Sequence, residues 1–165
     1  MKYRKFISGL SVLICTMASS SSFAIDESLF SEISLAAFEK THPFPKKEEF
    51  QIDTSVHGLK TEALFTGNTR PLSKEKRKAL NFLSSIQKEN KKLFLLYEDE
   101  IEVVQDDKTF WIPVQRQLLP VMKHELKDDQ SIWLYVRYMG AAGADRIYLM
   151  IHFSHSGDHE SETAI

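Results

Sequence analysis

The chain is poor in the residues that staple or bend a protein: of 165 residues, one is cysteine, six are glycine and five are proline. A lone thiol, Cys15, excludes an internal disulfide framework, so stability has to come from a hydrophobic core. No G-x-G-x-x-G or G-K-[ST] run occurs, and Gly140 and Gly143 fit neither spacing, which removes the common phosphate-cradling loops. G-x-S-x-G and H-E-x-x-H are missing as well, so no familiar serine or zinc hydrolase signature is present. Basic charge is not in excess: 21 Lys and Arg stand against 23 Asp and Glu. Such a balance gives no general attraction to nucleic acid or to anionic membranes. The longest apolar run, Phe6 to Met17, falls short of the roughly 20 residues that span a bilayer as a helix.

That short run has a different meaning. Lys2, Arg4 and Lys5 precede it, and Ser22-Phe23-Ala24 follows with small side chains where a signal peptidase needs them. Residues 1–24 are expected to be a signal peptide cut after Ala24, and no transmembrane segment is expected in the mature chain. Bulky Ile14 before Cys15 argues against a lipidation signal. Cleavage would remove three basic side chains and no acidic ones, leaving 18 against 23, a charge of −5 with histidine neutral. The mature protein would be exported, periplasmic or secreted, and residues 25–165 suffice for one core.

Within that single domain the pattern predicts a helical region over about 25–92, a strand-rich region over about 93–153 and a polar tail over 154–165. Leu29, Phe30, Ile33, Ala36 and Ala37 recur at helical spacing from a cap at Asp26 or Ser28 to about Lys40, where Pro43 and Pro45 stop the helix. Alternation from Leu59 to Phe65 reads as one strand ending at Gly67-Asn68. Ser73 opens the clearest helix, with Ala79, Leu80, Leu83 and Ile86 on one face; its run Lys74-Glu75-Lys76-Arg77-Lys78 reads as a solvated face.

Further on, Leu93–Tyr97, Ile101–Val104 and Lys108–Val114 read as strands, with Glu98-Asp99-Glu100 and Asp106-Asp107 at the turns. Leu118, Leu119, Met122 and Leu126 mark a helix within Arg116–Lys127. Ile132–Met139 and Arg146–Phe153 then form a hairpin across a small-residue loop. The expected fold is α+β: N-terminal helices packed on a small antiparallel sheet or an OB-like barrel, in β-β-β-α-β-β order in the C-terminal half.

Two groups of residues carry candidate chemistry. Trp133, Tyr135 and Arg137 share one face of a strand, which can stack a flat partner group or simply pack against a helix. His152, His155, Asp158 and His159 form the densest set of ligands, suited to zinc, copper or nickel if a turn at Ser156-Gly157 brings them together. Otherwise no cofactor is expected. His124 reads as a surface residue, and His42 and His57 as loop residues. The function expected from these features is that of an exported, non-enzymatic binding protein whose strand-rich C-terminal half holds another macromolecule, most simply a protein. The alternatives are a small secreted hydrolase with an unrecognised site, and a metal or small-ligand carrier using the histidine cluster. Nucleic acid is not an expected partner.

Overall fold

Alternating apolar residues build a sheet that takes up more than half of the described residues. The computed structural model describes residues 25–43, 50–86, 91–142 and 145–156; the expected signal peptide and the tail beyond Ser156 lie outside them. After a 3-10 turn at Glu27–Leu29 come β1 (Phe30–Glu32), α1 (Leu35–Thr41), β2 (Phe50–Pro71), α2 (Lys74–Ile86) and α3 (Lys91–Phe94). Then follow β3 (Tyr97–Gln105), β4 (Lys108–Gln115), α4 (Leu118–Glu125), β5 (Gln130–Ala142) and β6 (Asp145–His155). The fold is therefore mixed α+β. No helix among the described residues is long and apolar enough to cross a membrane.

The strands lie in the order β4-β3-β2-β5-β6, all antiparallel, with short β1 added parallel to β2. β5 occupies one edge of β2, so β1 at Gly58–Lys60 and β3 at Leu64–Pro71 share the other. The sheet curls until β4 and β6 approach one another, but no ladder joins them among the described residues, so the sheet is open.

Alternation along β6 sends Tyr148 and Met150 into one core and Ile147 and Leu149 into another. The first core also takes Leu35 and Phe38 of α1, Met122 of α4, and Leu134 and Val136 of β5. The second lies between the opposite face of the sheet and α2 with α3, through Leu80, Leu83 and Phe94.

Several boundaries differ from the sequence reading. The first helix begins only at Leu35, because Ser34 caps it by accepting from the Ala37 amide at 3.1 Å while Phe30–Glu32 are drawn out along β2. The strand expected at 59–67 runs on to Pro71, within a region read as helical. Gly67 does not end it: this residue sits at φ 82° in a bulge between Phe65 and Thr69. His57-Gly58 lies inside the same strand and not in a loop. Gly58 has to be glycine, since a Cβ there would come 2.4 Å from the Leu29 carbonyl oxygen.

The strands expected at 93–97 and 101–104 are one strand from Tyr97, preceded by a helical turn, so the C-terminal order is β-β-α-β-β. Asp106-Asp107 is a turn as expected, with φ 50° and 58° matching the primed two-residue hairpin type. Glu98-Asp99-Glu100 is not a turn; it lies within β3.

Gly67→Ala is expected to cost about 1–2 kcal/mol, the strain of a β-carbon at positive φ, with a further clash against Asp128 relieved by rotation of that exposed side chain. Denaturant midpoints measure this. A neutral substitution would mean the bulge relaxes.

Candidate functional site

The residue that organises the site is one the charge run concealed. Lys76, Ala79, Leu80 and Leu83 follow at steps of three and four, so Lys76 stands in the apolar stripe of α2 and is 2% exposed. Its ammonium donates to Glu100 Oε1 at 2.5 Å and to the Trp111 carbonyl at 2.7 Å. Glu100 is fully buried, and its Oε2 accepts from Arg70 Nε at 2.8 Å. Arg70 in turn lies over the Trp111 indole, 4.0 Å from its centre. A buried lysine needs a buried counter-ion, and β3 supplies it from the acidic run that looked like a turn.

A second triad faces the first. Glu39 of α1 pairs with Lys108 at the start of β4 and with Arg146 of β6, the latter at 3.4 Å. Arg146 also donates to the carbonyls of Glu39 and His42, at 3.2 and 2.6 Å, fastening the C-terminal end of α1 to β6.

Between the triads lies a cleft of about 310 Å³ at the gap between β4 and β6. Arg70, Lys76, Lys108, Trp111, Arg146 and Tyr148 line it, with Glu39, Thr109, Phe110 and Asp145. Each of the two triads has two cations on one carboxylate, so the wall carries a surplus of positive charge that Asp145 only partly offsets. Tyr148 is 2% exposed, and its hydroxyl makes no hydrogen bond of normal geometry. Burial, followed by the Glu39 carboxylate, pushes its pKa up, so it stays a neutral group beside the cleft.

The residues singled out from sequence are placed elsewhere. Leu134, Val136 and Tyr138 enter the first core, while Trp133, Tyr135 and Arg137 take the other face. Tyr135 is 2% exposed: its hydroxyl donates to Glu27 Oε1 at 2.8 Å, and Phe30 meets its ring edge-on at 5.3 Å. Trp133 is half-buried, with the Lys60 ammonium 5.0 Å from its ring centre, and Arg137 is exposed. Trp133 borders a wider, more open groove with Lys60, Glu32, Glu62 and Asp106, whose charge is net acidic. Gln105 crosses this groove, accepting from the Leu35 amide at 2.7 Å and donating to Thr61 Oγ1 at 2.7 Å.

His152 and His155, three apart on β6, fall on opposite faces by alternation: His152 is paired opposite Tyr135, and His155 opposite Ile132. His155 Nδ1 lies 2.9 Å from Gln130 Nε2. Asp158 and His159 are outside the described residues, and no group of three metal-binding side chains occurs among the described ones. His124 is exposed, as expected.

Burial holds the His152 imidazole below its ordinary pKa of 6.5, against the opposite pull of Glu27. The unfolded chain therefore takes up this proton first as pH falls. Stability is full above 6.5 and is expected to drop between 6.5 and the lower folded value. His152→Gln should flatten that slope in urea midpoints measured against pH; an unchanged slope would assign it to other groups.

No protein-family model matches the sequence, and a search of curated proteins finds no significant match.

Proposed function

We propose that the protein is an exported, non-enzymatic binding protein that holds another macromolecule through its strand-rich half, with the β4–β6 cleft taking an acidic group of that partner. The observation that carries this reading is the sharing of each carboxylate, Glu39 and Glu100, between two cations around one cleft. A carboxylate entering between Lys108, Arg146 and Arg70 completes the charge balance there. Two of these are arginines, whose planar forks suit carboxylates. The partly exposed Trp111 indole offers a flat wall for the rest of the ligand. A volume of about 310 Å³ suits one or two side chains of a bound segment better than a whole domain.

Trp111 reports on this directly once Trp133, the other tryptophan of the chain, is replaced by Phe. Titrating the mature Trp133→Phe protein with a glutamate-rich peptide should change Trp111 fluorescence saturably, and the matched glutamine peptide should not. Lys108→Glu reverses a half-exposed charge at the rim and should weaken binding by about tenfold or more, and added salt should act in the same direction. An equal response to both peptides, or none to either, would overturn the reading.

A further inference from the structure

We infer that the corner formed by α2 and α3 is a second, independent contact surface, whose partner is the interface of an anionic lipid bilayer. Lys74, Lys78, Phe82 and Ile86 follow at steps of four on α2, so they form one stripe along the helix, and all four are exposed. The stripe is basic at its start and apolar at its end. There α3 adds Lys92 and Leu93, both exposed, and Leu95 follows directly.

Phe94 fixes the orientation of this turn. It is buried in the second core with Leu80 and Leu83, so its neighbours Leu93 and Leu95 stand outward, 38% and 52% exposed. Ile86 and Phe82 are 52% and 48% exposed. Four of the six large hydrophobic side chains exposed among the described residues therefore fall within 14 residues of this one corner. Scattered exposure is ordinary, but clustering of this kind marks a contact surface.

Charge identifies the occupant. Leaving out Lys76, which is buried on Glu100, residues 74–95 hold six Lys and Arg against two Glu, within a chain whose net charge is −2. The acidic remainder gives no overall attraction to a membrane, yet the corner presents lysines beside protruding aliphatic tips. That combination fits a bilayer interface, with ammonium groups at the lipid phosphates and Ile86, Leu93 and Leu95 among the upper acyl carbons. Nucleic acid would satisfy the lysines but leave the aliphatic tips against a polar backbone, with no stacking role for them.

Co-sedimentation of the mature protein with vesicles tests this. Phosphatidylcholine vesicles with phosphatidylglycerol as a third of the lipid should carry the protein down, and pure phosphatidylcholine vesicles should not. Ile86→Ser with Leu95→Ser, and separately Lys74→Gln with Lys78→Gln and Lys92→Gln, should each reduce the bound fraction by about tenfold. All five positions are exposed, so circular dichroism should show an unchanged fold. Binding indifferent to the aliphatic replacements, no binding to anionic vesicles, or tighter binding to a duplex oligonucleotide than to vesicles would each overturn the inference. Because Lys108 takes no part, Lys108→Glu separates this surface from the cleft.

Discussion

Lys76→Met is expected to destabilise the fold by about 3–5 kcal/mol, the cost of breaking a buried ion pair by removing one partner. Lys76 and Glu100 are 2% and 0% exposed, and the ammonium also satisfies the Trp111 carbonyl on the outer edge of β4. Without it, Glu100 keeps only Arg70, and the carbonyl loses its donor. Replacing both partners removes the uncompensated charge, so Lys76→Met with Glu100→Leu should recover most of the loss. Urea unfolding of the two single variants and the double variant separates these terms. A loss below about 1 kcal/mol in the single variant would mean that water reaches Glu100 and that the triad is not a closed unit. The same triad forms one wall of the cleft, so stability and binding are joined at Glu100.

Leu134→Ala is expected to cost about 2–5 kcal/mol, as large-to-small changes in cores do. The side chain is fully buried on the interior strand β5, with Thr61 of β2 opposite on one side and Phe153 of β6 on the other. Its sequence neighbour Trp133 faces the other way and is half-buried, so Trp133→Phe should be far milder. Unfolding midpoints for the pair test the facing of β5. Equal losses would contradict it.

The hairpin that holds Leu134 was legible because two eight-residue runs rich in branched and aromatic side chains flank a small-residue loop. The Asp106-Asp107 turn was legible for a similar local reason, two residues that tolerate positive φ between two apolar runs. The cleft was not legible, since its charges are read locally as solvent-facing. Three acids in succession resemble a turn, and Glu100 is held inside β3 only by Lys76 and Arg70, 24 and 30 residues away in sequence. One signal was available: the spacing from Lys76 to Ala79, Leu80 and Leu83 places a lysine on the apolar side of α2, where it requires a buried acid. The N-terminal segment was misread for a tertiary reason. Phe30 pairs with Gly58 along β2, and this contact draws out residues whose apolar spacing alone would have formed a helix.

The claim that the β4–β6 cleft is where this protein takes an acidic partner group is tested most directly by following backbone amide shifts of the mature protein during titration with the glutamate-rich peptide. Saturable shifts should concentrate at Arg70, at Lys108 to Trp111 and at Arg146 to Tyr148, the three segments that face the cleft. Shifts confined to Trp133–Arg137 or to His152–His155, or none at saturating peptide, would contradict it.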